Sequence, residues 1–160
     1  MKISFIFIFT ITFFFKSASA QAIKKVSMKE VVQMIDSIKT PMVINFWASW
    51  CKPCVQEISW FEKALATFKN KNIQLVLVSL DFKSDYPNKL TQFVKNKGFS
   101  SKVLWLNETN ADYFCPLIDS SWMGNIPATL MVNNAKKYRQ FFDQQLPEAR
   151  LMLELKQLVQ

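Results

Sequence analysis

The fold of this chain is decided by a stretch in its first half. It begins with the apolar run Met42–Trp47 and, two residues later, continues as Trp50-Cys51-Lys52-Pro53-Cys54-Val55. Two cysteines separated by two residues, where a strand passes into a helix, are suited to moving electrons between thiols and disulfides. At a helix N-terminus, free backbone N–H groups and the helix dipole favour a thiolate over a thiol. The stretch therefore predicts a dithiol redox site.

The residues of the motif are predicted to have separate roles. Cys51, nearer the helix N-terminus, is the attacking thiolate, and Cys54 is the thiol that resolves the mixed disulfide. Pro53 has the backbone angle of a first helical turn, where its missing N–H costs no hydrogen bond. Lys52 places a cation between the two sulfurs, which stabilises the Cys51 thiolate. The alternatives are a structural disulfide, half of a metal site and, for Lys52, an ordinary solvated lysine.

Composition argues against several other kinds of site. The chain has three cysteines and no histidine, so a zinc or iron–sulfur site, which usually needs four ligands, is not predicted. Two thiolates suit Cu(I), which leaves a copper-carrying role as an alternative. Gly98 and Gly124 are the only glycines, too few for a glycine-rich phosphate loop, so nucleotide binding of the usual kinds is excluded. We expect no metal and no cofactor.

The third cysteine, Cys115, stands before Pro116 and outside the motif. A free cysteine in such a position usually behaves as a small buried apolar residue, which is our expectation here. A regulatory or partner-binding thiol is the alternative, because an odd cysteine in an oxidising compartment can pair with another molecule.

Residues 1–20 have the composition of an export signal. A lysine at position 2 precedes the apolar stretch Ile3–Phe15, and Lys16-Ser17-Ala18-Ser19-Ala20 follows with an Ala-x-Ala cleavage pattern. We therefore predict a signal peptide that is cleaved after Ala20 and a mature protein in the periplasm or cell envelope. An uncleaved membrane anchor is the alternative, although the apolar stretch is short for one.

Residues 21–160 are enough for one domain with its own core. Their net charge is +6, against +8 for the whole chain, because Lys2 and Lys16 belong to the leader. The basic residues are scattered, which indicates several solvated surfaces and no nucleic-acid-binding stripe. An exported chain with three cysteines is not a disulfide scaffold, so its thiols are predicted to be functional.

Apolar periodicity and capping signals predict the helices. Ser27-Met28-Lys29-Glu30 is a capping box for a first helix that ends before Pro41. A second helix is predicted over 51–70, and a third from a cap at Ser84 or Asp85 to a stop at Gly98. The segment 107–122 mixes helical and loop character. A last helix is predicted over 148–159, opened by a proline.

The strands alternate with these helices in the first half of the chain. Apolar runs predict strands over 41–48, 73–80 and 102–106. Two further strands, 128–133 and 137–142, flank Asn133-Asn134-Ala135-Lys136 and predict a hairpin. Parallel strands followed by a hairpin predict an α/β fold with a central mixed sheet and helices on both faces.

The stretch Asn45-Phe46-Trp47-Ala48-Ser49-Trp50-Cys51-Lys52-Pro53-Cys54 resembles the active site of a thioredoxin. Glu57 and the later stretch Gly124-Asn125-Ile126-Pro127-Ala128-Thr129-Leu130 strengthen the resemblance. Together with the export signal, they make residues 22–160 most similar to the extracytoplasmic thiol-disulfide oxidoreductases of the TlpA/ResA type. This resemblance implies a thioredoxin fold, protein thiol and disulfide substrates, a membrane thiol electron donor and a role such as cytochrome c maturation. We expect a monomer.

The resemblance also implies roles for residues outside the cysteine motif. Pro127 is expected to be a cis-proline opposite the dithiol, with Ile126 presenting its backbone to an extended substrate peptide. Trp50 and Trp47 would shield the sulfurs and offer contact surface. An ordinary trans proline and a core position for Trp47 are the alternatives.

The proton chemistry is left open by two positions. Thioredoxins carry a buried acid six residues before the first cysteine, where this chain has Asn45, as is usual in the TlpA/ResA type. Because Asn45 cannot accept a proton, water, Glu57 or an unmarked group must deprotonate Cys54. Glu57 is either a proton shuttle or a residue that only favours the first helical turns electrostatically. Ser59 stands where the subgroup commonly has proline.

The function we favour is an exported oxidoreductase that reduces or exchanges disulfides in envelope proteins. A disulfide oxidase or isomerase and a non-catalytic Cu(I) carrier are the alternatives. If Lys52 lowers the pKa of the Cys51 thiol, the pair becomes more oxidising, which slightly weakens the interpretation as a reductase. A reduction potential near about −270 mV indicates a reductase, and one near about −120 mV an oxidase. Peroxide reduction fits less well, because two cysteines in one helical turn suit dithiol exchange.

Overall fold

A mixed sheet forms the centre of the fold in a computed structural model that describes residues 22–160. Its six strands are β1 Lys24–Val26, β2 Met42–Trp47, β3 Gln74–Ser79, β4 Lys102–Leu106, β5 Ala128–Asn133 and β6 Tyr138–Phe142. They lie in the order β1-β4-β3-β2-β5-β6. The first four in that order are mutually parallel, and β5 runs antiparallel to both β2 and β6. The predicted mixed sheet is confirmed.

Helices cover both faces of the sheet. They are α1 Met28–Ser37, α2 Lys52–Thr67, α3 Asn88–Lys97, α4 Ala111–Ile118 and α5 Glu148–Val159, with short 3-10 turns at Lys69–Lys71 and Asn134–Lys136. The helices α2, α3 and α5 pack on one face, and α1 and α4 on the other. Within residues 22–160, no helix is both long and apolar enough to cross a membrane.

The central strand β2 divides the core between the two faces. All six of its residues are buried, as a strand covered on both faces requires. Successive side chains of a strand point to opposite faces, so Phe46 packs with α1 and α4 while Trp47 packs with α2, α3 and α5. The strand thus ends between two apolar layers, and the chain leaves it towards Cys51.

Most predicted signals act as expected. The capping box is formed, with the Glu30 N–H donating to Ser27 Oγ at 3.3 Å and the Ser27 N–H donating to Glu30 Oε2 at 2.8 Å. Gly98 ends α3 with a left-handed backbone, φ +67°. The strands β5 and β6 form the predicted hairpin. The segment 107–122 contains a loop and then α4, capped by the side chain of Asn110.

Two elements differ from the sequence expectation. The short edge strand β1 was not predicted, because its three residues are too few to produce a periodic pattern. The cap predicted at Ser84 or Asp85 is wrong, since α3 begins at Asn88, after Pro87. A residue before proline is disfavoured in helical backbone, which delays the start. The Asp85 carboxylate instead pairs with Lys89 Nζ at 2.9 Å.

The signal peptide predicted over 1–20 lies outside the residues that the structure describes, and it stays a prediction.

Candidate redox site

The two cysteines of the motif lie where the loop after β2 enters α2. Their Cα atoms are 5.3 Å apart and their sulfurs are joined in a disulfide. Cys51 is the N-cap residue of the helix, and its Sγ accepts the N–H of Cys54 at 3.3 Å. Reduction of this disulfide would leave the Cys51 sulfur among the free N–H groups of the first turn, which stabilise a thiolate.

The two sulfurs differ in their access to a partner. Cys51 retains 6% of its surface exposed, whereas Cys54 is fully buried. Lys52 and Pro53, between them, are exposed on the first helical turn. The Pro53 carbonyl accepts a hydrogen bond from Gln145 Nε2 at 2.9 Å, which ties this turn to the loop before α5. Of the two cysteines, Cys51 therefore has the better access to a partner once the disulfide is reduced.

The proline loop lies at the same end of the sheet. The Ile126–Pro127 peptide bond is cis, which confirms the expectation drawn from the resemblance. Pro127 directly precedes β5, and Ala128 pairs with Phe46 at the end of β2. Because β5 runs antiparallel to β2, its beginning lies beside the point where β2 leads towards Cys51. Pro127 is buried and Ile126 half-buried.

An apolar surface borders Cys51. The Trp50 ring is 57% exposed and stacks on Phe82, which is 63% exposed, with centroids 6.0 Å apart and planes 22° apart. Trp47, in contrast, is fully buried and packs against Phe93 and Phe99. The core alternative for Trp47 is therefore correct, and of the two tryptophans only Trp50 offers contact surface.

A buried polar network joins residues that precede and follow the cysteine motif. The Glu57 side chain is fully buried, and Asn45 Nδ2 donates to its Oε1 at 2.7 Å. The Leu146 N–H donates to Oε2 at 3.0 Å. Burial raises the pKa of Glu57 to about 7, although these two hydrogen bonds oppose the rise. The carboxyl group therefore changes its charge near neutral pH.

Asn45 connects this carboxyl group to the proline loop. Its Nδ2 also donates to Thr129 Oγ1 at 3.0 Å, across the pair that β2 and β5 form, two residues after Pro127. Its Oδ1 is buried and has no hydrogen-bond partner among the described residues. Rotation of the amide by half a turn would let that oxygen accept a hydrogen bond from the hydroxyl of a protonated Glu57. The network can thus satisfy both charge states of the carboxyl group.

The position of Glu57 favours the proton role over the electrostatic alternative. Glu57 lies three residues after Cys54, so the two fully buried residues share one face of α2. A helix dipole acts mainly on groups in the first turn, and Glu57 lies beyond it. A buried acid that titrates near neutrality has the pKa that a general base needs.

Sequence reasoning missed two residues of this region, Asp81 and Phe82, which follow β3. A signal for Asp81 exists, because it stands two residues after the buried strand β3, whose parallel neighbour, β2, leads to Cys51. Cys115 is buried in α4, as expected, and burial raises the pKa of its thiol to about 11. In the described part of the chain, no three His, Cys, Asp or Glu side chains are grouped to hold a metal ion.

Curated relatives match parts of this chain. ResA of Oceanobacillus iheyensis, a thiol-disulfide oxidoreductase, is 38% identical over 53 residues, which cover 33% of this chain and 28% of that protein. The Bacillus subtilis thiol-disulfide oxidoreductase ResA is 22% identical over 102 residues, covering 64% of this chain and 52% of that protein. The matches thus span about half or less of the length of these relatives.

Structural similarity and a family match cover more of the chain. A thioredoxin-related protein from Neisseria meningitidis serogroup B matches 78% of this chain and 89% of its own, with a TM-score of 0.64 and 23% identity. This match shows that the fold is that of thioredoxin. The model of the AhpC/TSA family matches residues 14–141. Because that match covers most of the sequence, the chain belongs to the AhpC/TSA family.

Proposed function

We propose that this protein is a thiol-disulfide oxidoreductase that reduces disulfide bonds in proteins of the cell envelope. The observation that carries the proposal is the Cys51–Cys54 pair at the N-terminus of α2, on a thioredoxin fold and at the same sheet end as the cis-Pro127 loop. The names of the two ResA relatives support the same activity. The two cysteines and the residues around them have separate roles in this reaction.

The reduced protein acts in two exchange steps. The Cys51 thiolate attacks one sulfur of the substrate disulfide, so that a mixed disulfide forms and the other substrate sulfur leaves as a thiolate. Cys54 then attacks Cys51 Sγ, which closes the Cys51–Cys54 disulfide and releases the second substrate sulfur. The substrate gains two electrons and two protons, and the protein loses them. Burial of Cys54 keeps it from competing for substrate in the first step.

Glu57 serves the second step as the general base. Cys54 must lose its proton to attack, and as a buried thiol it has no direct access to solvent. Glu57, with a pKa of about 7, accepts that proton at neutral pH and returns it when the protein is reduced again. Asn45 positions the carboxyl group by the hydrogen bond from its amide.

The substrate lies as an extended peptide beside the proline loop. Ile126 offers its backbone to that peptide in the manner of an added strand, and Pro127 leaves the loop without a competing N–H at its own position. Trp50 contributes exposed apolar surface next to Cys51. Lys52 and Pro53 shape the first turn, where a cation and a preset backbone support the thiolate.

The setting of the reaction follows from the predicted leader and the family resemblance. A signal peptide over 1–20 would place the protein in the periplasm or cell envelope, where it would act as a monomer. A membrane protein with a dithiol would return the two electrons after each turnover. Maturation of cytochrome c, in which cysteines must be kept reduced, is the use that the TlpA/ResA resemblance favours.

Reduction of insulin tests the chemistry. We expect the wild-type protein to reduce insulin with dithiothreitol as electron source, and Cys51→Ser to be inactive. Cys54→Ser should accumulate mixed disulfides with envelope proteins through Cys51. The control Cys115→Ser, outside the motif, should retain activity. Equal rates for the wild type and both motif variants would remove the proposed function, and a reduction potential near about −120 mV would reverse its direction to oxidation.

A further inference from the structure

We propose that Asp81 is a positioning residue of the redox site: its buried carboxylate fixes the loop Ala48–Trp50, which presents Cys51. The Asp81 carboxylate accepts hydrogen bonds from Ser49 and Ser79, and it acts on Cys51 through Ser49. The inference rests on the proposed function, since the loop it fixes is the one that carries the attacking thiol.

The contact between Asp81 and the loop uses both carboxylate oxygens. The Ser49 N–H donates to Oδ1 at 3.0 Å and to Oδ2 at 3.1 Å, and the Ser49 hydroxyl donates to Oδ1. Asp81 is only 4% exposed, so these hydrogen bonds are shielded from water. Hydrogen bonds to an ionised acceptor are stronger than neutral ones, which suits a carboxylate to holding a loop.

Asp81 is itself fixed by the sheet. The Ser79 hydroxyl, at the end of β3, donates to Asp81 Oδ2 at 2.7 Å and accepts the Asp81 N–H at 3.1 Å. Trp105 Nε1, on the neighbouring strand β4, donates to the Asp81 carbonyl at 2.8 Å. Two strands therefore determine where the carboxylate lies, and the carboxylate determines where Ser49 lies.

The loop is a tight turn whose conformation decides the position of Cys51. The Cys51 N–H donates to the Ala48 carbonyl at 3.1 Å, and Ser49 stands at the corner of that turn. The N–H at this half-buried corner is left without a partner in the turn itself, and Asp81 supplies the acceptor. Without the acceptor the turn can open, and a displacement of the attacking atom by about 1 Å costs about 100-fold in rate.

A purely structural role for Asp81 makes different predictions from a positioning role. Removal of any member of the cluster would then lower the melting temperature and leave the chemistry of Cys51 unchanged. Asp85→Ala offers a matched control, because it removes a carboxylate four residues further along the same connection, and that carboxylate pairs with Lys89. Asp81→Asn offers a rescue, since an amide oxygen can still accept the Ser49 N–H while the amide N–H groups donate to the Ser79 hydroxyl.

The test follows two reactions of the full-length protein after its Cys51–Cys54 disulfide has been reduced. One is the rate of Cys51 alkylation by iodoacetamide between pH 5 and 9, read at that residue by mass spectrometry. The other is kcat/KM for insulin reduction. For Asp81→Ala we expect kcat/KM to fall at least about tenfold and the pH midpoint of alkylation to move. Asp81→Asn should stay within about threefold of the wild-type kcat/KM, and Asp85→Ala should keep both the wild-type rate and the wild-type pH profile.

Two results would overturn the proposal. One is an Asp81→Ala protein with a lower melting temperature but wild-type alkylation and kcat/KM. The other is an Asp85→Ala protein that loses as much activity as Asp81→Ala. Should Asp81→Ala not fold, Ser49→Ala removes only the hydroxyl donor, and its expected twofold to fivefold loss of kcat/KM decides instead. An inactive wild type would refute the proposed function, whereas the alkylation profiles would still test the position of Cys51.

Discussion

Glu57 and Asp81 are buried carboxyl groups that both follow the cysteine motif along the chain, and they are held in different ways. Glu57, after Cys54, receives one side-chain amide and one backbone N–H in an otherwise apolar setting. Asp81 receives the N–H and hydroxyl of Ser49 and the hydroxyl of Ser79. The first arrangement leaves the carboxyl group free to change charge, and the second uses the carboxylate as a fixed anchor. Burial alone therefore does not give a carboxyl group its role; its donors do.

Asn45→Asp, which replaces a hydrogen-bond donor of Glu57, should have the largest effect on stability. The change removes the amide that donates at 2.7 Å to Glu57 and puts a second carboxyl group in its place. Two buried carboxylates at that distance repel each other, so we expect a loss of about 3 kcal/mol or more in the free energy of unfolding at pH 8. Urea unfolding of the oxidised protein measures it.

The loss should be smaller at pH 5, where a proton shared between the two carboxyl groups relieves the repulsion. Thr129→Val serves as the control, because it removes the other partner of the Asn45 amide without adding a charge, and should cost about 1 kcal/mol at either pH. An Asn45→Asp protein as stable as the wild type at both pH values would show that the network tolerates two charges.

Glu57→Gln should remove a pH dependence of stability. The folded-state pKa of about 7 lies above the ordinary glutamate pKa of 4.5, so the folded protein binds the proton more tightly than the unfolded one. Wild-type stability therefore falls as pH rises from about 4.5 to about 7, by up to about 3 kcal/mol, and stays lower above that range. The glutamine side chain of the variant carries no charge at any pH, so the variant should lack this fall in stability.

Urea unfolding of the oxidised protein at several pH values between 4 and 8 checks this expectation. Glu148→Gln, at an exposed glutamate in the first turn of α5, is the matched control and should keep the wild-type slope. If Glu57→Gln retains the full fall in stability between pH 4.5 and 7, another buried group must be the source.

The same variant should slow the second exchange step. A positioned general base contributes about 100-fold or more to a proton transfer, so resolution by Cys54 at pH 7 should be about 10- to 100-fold slower in Glu57→Gln. Attack by Cys51 should proceed at the wild-type rate, because Glu57 does not contact it. Rapid-mixing measurements on the mixed disulfide separate the two steps. A wild-type resolution rate would assign the proton transfer to water.

The carboxyl groups also differ in how far the sequence could predict them. Glu57 was identified because it stands at a fixed spacing from Cys54, and spacing along one helix is local information. Its near-neutral pKa was not predictable, because burial depends on β2, β5 and the loop before α5. Asp81 was missed because its partner Ser49 is 32 residues away and meets it only once β2 and β3 pair.

The same division explains the successes and errors in the fold. The capping box of α1, the hairpin of β5 and β6 and the final helix depend on neighbouring residues, and the sequence predicted them. The edge strand β1 exists only because β4 offers a partner, and the start of α3 depends on a proline turn after β3. Local patterns define the elements of this fold, and pairing across the sheet brings Asp81 to the loop before Cys51.

Phe82→Ala should have the smallest effect. It would separate the role of the Asp81 carboxylate, which holds the loop, from that of the exposed aromatic stack, which offers contact surface. The ring stacks on Trp50 at the same loop that Asp81 anchors, but both rings are exposed. An exposed aromatic pair contributes about 0.5–1 kcal/mol, so we expect a twofold to fivefold lower kcat/KM for insulin. Cys51 alkylation should stay unchanged, because the carboxylate still holds Ser49. Leu153→Ala, an exposed apolar residue on α5, is the control and should match the wild type. A change in the alkylation profile of Phe82→Ala would mean that the aromatic stack shares the anchoring of the loop with Asp81.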